Sequence, residues 1–252
     1  MKSTSSLLLA ASYALVASPQ AFAENKPHWD YQGHGGATHW ADLDEGFKTC
    51  KLGKLQSPID IKPKTVEKAA DGKPIGFAYT ASTAEVVNNG HTVQVNLPAA
   101  GTASIDGVEY KLLQFHFHTP SEERFDGKPY PLVAHMVHKN DKGELAVVAV
   151  LFNVGKENAA LTPVFAKLPD KEGGSQTLES FNPADLLPAD ASYYAFMGSL
   201  TTPPCSEDVR WQVLKTPVTL SAAQLASFRK LYQMNARPVQ PLNGRKVQLV
   251  SQ

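Results

Sequence analysis

The sequence predicts a mainly β protein, built on a mostly antiparallel sheet with short helices at its periphery. Three observations predict it. Short runs of alternating or β-branched apolar residues recur through the middle of the chain. Eighteen prolines and seventeen glycines are spread along its 252 residues, as many turns between short strands require. Helical spacing is confined to two stretches near the C-terminal half.

The first 23 residues stand apart from that fold. Lys2 is followed by the short apolar run Leu7 to Val16, and Ala21-Phe22-Ala23 is a small-x-small cleavage site. This predicts a secretory signal peptide over 1–23 and a single domain over 24–252. The run is shorter than the roughly 20 residues a membrane span needs, and no later segment qualifies.

Val86 to Leu97 reads as strand, with a turn-like Asn88-Asn89-Gly90 near its start. His91, Val93, Val95 and Leu97 share one face, and Thr92, Gln94 and Asn96 the other. Leu112 to His118, Leu132 to His138 and Leu145 to Phe152 follow as strands. Asn140-Asp141-Lys142-Gly143 joins the last two as a hairpin turn. Asp170 to Gln176 reads as a surface loop, and Ala191 to Gly198 and Val209 to Leu214 as further strands. Leu161, Val164, Phe165 and Leu168 keep helical spacing. Ser221 and Gln224 form a capping box for a helix carried by Leu225, Phe228 and Tyr232 to Gln233.

Lys and Arg number 24, as do Asp and Glu, and the basic residues are scattered. That argues against a nucleic-acid surface. Cys50 and Cys205 are the two cysteines. In an exported chain the pair predicts a disulfide, and two thiols cannot build a four-thiolate zinc site.

Gln114-Phe115-His116-Phe117-His118 carries the chemistry. On a strand, Gln114, His116 and His118 share one face while Phe115 and Phe117 point into a core. Two imidazoles about 6–7 Å apart on one face can close on one metal ion. The next strand offers His135 and His138, whose parity differs, so one of the two can complete the set. Three neutral imidazoles with a fourth position open describe a catalytic zinc site rather than a structural one.

Further segments join this one: His28-Trp29-x-Tyr31, Gln56-Ser57-Pro58-Ile59-Asp60-Ile61, Asn88-Asn89-Gly90-His91, Ser121-Glu122, His135-Met136-Val137-His138, Ser199-Leu200-Thr201-Thr202-Pro203-Pro204 and Asn235-x-Arg237-Pro238. In that order, from about residue 28 to about residue 238, the chain resembles the alpha-class carbonic anhydrases of the bacterial, exported type. The resemblance implies a large, twisted, mostly antiparallel sheet of about ten strands, with the metal at the bottom of a cone. It implies a zinc enzyme interconverting carbon dioxide and bicarbonate by attack of zinc-bound hydroxide. His116, His118 and His135 become the zinc ligands and His138 a structural residue. Gln114 and the backbone carbonyl of Asn235 become acceptors behind His116 and His118.

Other roles follow from the same resemblance. Thr201 and Glu122 form the relay that orients the hydroxide. Val137, Val147, Leu200, Thr202 and Trp211 match the substrate pocket. His91 stands at the proton-shuttle position, with Tyr31 and Asn89 ordering water. A homodimer is implied by analogy, and the periplasm or the cell exterior as location. Weak esterase activity is expected as a side reaction; a phosphatase would need a second metal or an arginine clamp, and a metal-free binding module would lack one of the histidines. One position departs from the family: the glutamate usual two residues before the third ligand is Val133 here. Either a water or a carboxylate elsewhere substitutes, or zinc affinity or activity falls by about 10–100-fold.

Overall fold

The computed structural model describes residues 27–252. The signal peptide expected over 1–23 lies outside them. Thirteen strands form one sheet, and ten of them lie side by side on a continuous path. Most neighbours are antiparallel, as expected, but the sheet is mixed. Leu145–Val154 runs parallel to Val209–Leu214 and to Val218–Leu220, and Gln248–Val250 runs parallel to Glu67–Lys68.

The centre of the sheet is the part that matters for function. Val93–Asn96, Val108–His118, Leu132–Lys139 and Leu145–Val154 are successive antiparallel neighbours. Leu145–Val154 is a near-continuous apolar run because both of its faces are covered. One face of the sheet buries a core that includes Phe115, Phe117, Met136, Val148 and Val150, closed over by Phe165 and Phe228. The other face buries a separate cluster of Ile59, Ile61, Val133, Val147, Ala149 and Trp211. Gly198 permits the close packing there, since a Cβ at that position would lie 2.8 Å from Trp211 Cδ1 and closer still to Ser57 Oγ.

Several expected bounds shift. The 86–97 segment is two strands, Ser82–Asn88 and Val93–Asn96, and His91 sits in the bend between them rather than on a strand face. The Asn140–Gly143 turn is present, with Gly143 at φ 86° donating its N–H to the Asn140 carbonyl. The loop expected over 170–176 yields its last two residues to the strand Ser175–Phe181, which pairs with Ser82–Asn88. The capping box on Ser221 is formed, but the helix Ala222–Leu231 stops before Tyr232. The helical spacing from Leu161 yields only Thr162–Phe165.

Cys50 and Cys205 form a disulfide that spans 155 residues of chain. It joins Trp40 and Tyr31 in a third, small cluster and ties the N-terminal segment to the loop after Pro204. The chain-entropy model gives such a closure on the order of 5 kcal/mol as an upper figure. The bond points to an oxidising compartment. No helix of the described residues is long and apolar enough to cross a membrane.

His138 is fully buried, with its Nε2 2.6 Å from Tyr79 Oη. Burial pushes its imidazole down to about 4 from an ordinary value of 6.5. Above pH 6.5 the ring is neutral in both folded and unfolded chains. Between about 6.5 and 4 the unfolded chain binds a proton that the folded chain refuses, so stability falls as pH drops. Below about 4 the loss is complete, on the order of 3 kcal/mol. Denaturant titrations of the wild type and of His138→Gln should therefore converge in slope above pH 6.5, with the variant losing less between 6.5 and 4. Equal losses would contradict this assignment.

Candidate metal centre

His116 and His135 face each other directly across neighbouring strands, and His118 lies two residues further along opposite Val133. Their ring centroids are 4.7–5.6 Å apart. One ring nitrogen from each lies within 4.8 Å of the other two. A bulge makes this possible. The register of the 108–118 strand slips by one residue between the pairs Val137↔Gln114 and His138↔Leu112, leaving Leu113 exposed and without a partner on the 132–139 strand. Upstream of the slip Tyr110 and Leu112 face the core; downstream Phe115 and Phe117 do. Without the extra residue His116 and His118 would point into that apolar core.

Each imidazole is oriented by an acceptor behind it. His116 Nδ1 lies 2.9 Å from Gln114 Oε1, and His118 Nδ1 lies 2.7 Å from the Asn235 carbonyl oxygen. A carbonyl only accepts, so His118 carries its hydrogen on Nδ1 and presents the lone pair of Nε2. That Nε2 is buried and has no hydrogen-bond partner. A buried orphan acceptor facing two other imidazoles is what a metal ligand looks like before its ion is added. Burial pushes His116 down to about 3 and His118 well below its ordinary value, so both rings are neutral donors of a lone pair. The residues present therefore fit a divalent metal held by three nitrogens.

His135 differs in its partner. Its Nε2 lies 3.0 and 3.2 Å from the two carboxylate oxygens of Glu123, which leaves Nδ1 to face the other imidazoles. A carboxylate therefore lies behind His135, from position 123, where the side chain of Val133 offers none. Burial pulls the His135 ring down, but the Glu123 and Glu122 carboxylates outweigh it and hold the ring above its ordinary value.

Glu122 is also buried. Its Oε1 accepts the Arg237 backbone N–H at 2.7 Å, while Oε2 has no partner. The hydroxyl of buried Thr201 lies near enough to stabilise the carboxylate, though it closes no hydrogen bond of ordinary geometry with Oε2. Burial pushes this carboxyl up to about 7, with the His135 imidazole pulling against it. A dication among the imidazoles would pull in the same direction as His135. Val147 and Trp211 are buried in the apolar cluster beside the site, with Val137 and Leu200 packed against it. The Trp211 ring meets His135 edge-on at 4.9 Å, and its Nε1 donates to the Ser199 carbonyl. Thr202 is half-buried in the same loop as Thr201.

His91 is half-buried and stacks on Trp29 at 3.6 Å with 7° between the planes. Trp29 meets Tyr31 edge-on, and Tyr31 in turn meets His118. A file of rings therefore leads from His91 to the ligand cluster. Asn89 holds the turn by accepting the N–H groups of His91 and Thr92 on its Oδ1.

The family model for eukaryotic-type carbonic anhydrase matches residues 35–251. The chain belongs to the alpha-carbonic anhydrase family. A carbonic anhydrase of Klebsiella pneumoniae is 47% identical over 226 residues, 87% of this chain and 90% of that protein. One of Pectobacterium carotovorum is 41% identical over 247 residues, 97% of this chain and 98% of its own. The solved alpha-carbonic anhydrase of Thermovibrio ammonificans, in complex with sulfanilamide, matches with a TM-score of 0.85 at 46% identity. That match covers 88% of this chain and 99% of the solved one.

Three contributors to this carbonic anhydrase site escaped sequence reasoning. Trp29 lay inside the His28–Tyr31 segment but had no assigned task. Arg237 fixes Glu122 through its backbone and ties the Ser57 and Cys50 carbonyls together through its guanidinium. Glu123 had as its only signal its adjacency to Glu122, and alternation along a strand would have pointed it away.

Proposed function

We propose that the chain is an exported enzyme that holds zinc through His116 Nε2, His118 Nε2 and His135 Nδ1 and interconverts carbon dioxide and bicarbonate. The observation that carries this reading is the set of three imidazole nitrogens turned toward one point, with each opposite nitrogen committed to an acceptor. Three imidazole nitrogens would suit zinc as ligands. Zinc there would make a water acidic enough to serve as nucleophile, with a pKa of roughly 7, the established figure for carbonic anhydrases and adopted as such.

The chain's own residues then have distinct tasks. The Arg237 N–H occupies Glu122 Oε1, so Oε2 is the oxygen left to accept the Thr201 hydroxyl hydrogen. Once Thr201 donates to Glu122, its own oxygen can only accept, and it selects the orientation of whatever hydroxyl approaches it. Val137, Val147, Leu200 and Trp211 give carbon dioxide an apolar wall beside the site, with Thr202 at its polar edge. His91 takes the released proton to buffer, and Tyr31 and Asn89 order the water between. The burial of His91, with the nearby His28 imidazole, holds its ring below the ordinary value, so it is neutral and ready to accept at neutral pH. Residues 1–23 act as a signal for export, and the disulfide suits the periplasm or the cell exterior.

A stopped-flow pH-indicator assay on the zinc-loaded protein tests the reading against its competitors. Carbon dioxide hydration should far exceed ester hydrolysis, with no turnover of phosphate monoesters. Phosphate turnover without carbon dioxide hydration would overturn it.

A further inference from the structure

Glu123 and Glu122 are consecutive, both buried, and both aimed at the same histidine cluster. On an extended strand consecutive side chains diverge to opposite faces. Here the chain bends between two strands, and the bend is pinned. The Ser121 hydroxyl donates to the Glu123 carbonyl at 2.7 Å and accepts the Tyr130 N–H at 2.8 Å. The Ser121 N–H donates to the Tyr130 carbonyl, and the Arg124 N–H to the Ile59 carbonyl. These bonds hold the Glu123 backbone where its side chain reaches His135 Nε2 with both oxygens.

Position 133 offers His135 nothing polar. Val133 is fully buried among Ile59, Ile61, Ala149 and Leu151, on the same face of its strand as His135. We infer that Glu123 is the positioning residue for the third metal ligand, a task transferred along the chain from position 133 to position 123. The inference rests on the zinc reading above. A carboxylate on Nε2 holds the hydrogen on that nitrogen, leaves the lone pair on Nδ1, and stops the ring from turning over. The apolar side chain at 133 is then free to complete the second hydrophobic cluster.

The transfer is testable by reversing it. Glu123→Ala should raise the rate of zinc release to a chromogenic chelator by about 10–100-fold, and Glu123→Gln by less, because its amide oxygen still accepts. The double variant Glu123→Val with Val133→Glu should recover most of the wild-type rate. Imidazole nitrogen NMR of the metal-free proteins, taken at a pH high enough for His135 to be neutral, gives a second readout. In the wild type the His135 hydrogen should sit on Nε2; in Glu123→Ala it should distribute over both nitrogens. Unchanged zinc release and an unchanged tautomer in a folded Glu123→Ala protein would overturn the inference. Should the alanine variant not fold, Glu123→Leu, which fills the space but cannot accept, decides by the same two readouts, with the double variant as its rescue. Failure of the wild type itself to hold zinc would instead overturn the zinc reading, and the tautomer measurement would still decide the role of Glu123.

Discussion

Replacing His118 by alanine should remove both bound zinc and carbon dioxide turnover from an otherwise folded protein. His118 is fully buried, its Nε2 has no partner of its own, and its Nδ1 is fixed on the Asn235 carbonyl. Deleting it leaves two imidazoles, too few to hold a catalytic zinc site. Loss of an outer orienting group costs about 10–100-fold, so loss of a ligand should cost more than roughly 100-fold in affinity. His138→Gln is the matched control. It too removes a buried imidazole, but one on the opposite face, stacked on Tyr79. Metal analysis and the hydration assay on the two variants should separate cleanly. Stoichiometric zinc in His118→Ala, or loss of zinc in His138→Gln, would contradict the ligand assignment.

His91→Ala should lower turnover most in dilute buffer, with partial rescue by added imidazole. The reason is a rate limit. Proton capture by bulk water near ~10^10 per molar per second, times an acid constant of ~10^-7 M, allows release only ~10^3 times per second. Established carbonic anhydrase turnover reaches about 10^6 per second, so a fast enzyme must hand its proton to buffer through a relay. Here His91 lies against Trp29 at the outer end of the ring file that ends at His118. If this member is fast, the variant should lose up to about 10^3-fold in low buffer and recover as imidazole concentration rises. Turnover independent of both the substitution and the buffer would remove the shuttle role.

The central strands were legible because their residues alternate or run apolar over enough length to exceed local noise. Leu132–Lys139 and Val209–Leu214 are within a residue of expectation. The parallel pairing of Leu145–Val154 with Val209–Leu214 was not legible, since it depends on which distant apolar run finds the open edge. Two-residue strands such as Asp60–Ile61 have no periodicity to read. Within the site, parity alone narrowed the third ligand to His135 or His138, and the resemblance chose between them. The bulge at Leu113 was written in the sequence as a parity change between Leu112 and Phe115, but a strand read from Leu112 onward hides it. Glu123 was invisible for a different reason. Its contact depends on a bend held by Ser121, Tyr130 and Ile59, which no local pattern encodes.

The most direct measurement is a zinc titration of the metal-free protein with carbon dioxide hydration followed at each addition. Turnover should rise linearly and stop at one zinc per chain. Turnover that is already complete without metal, or absent at full zinc occupancy, would contradict the assignment of a catalytic zinc site to His116, His118 and His135.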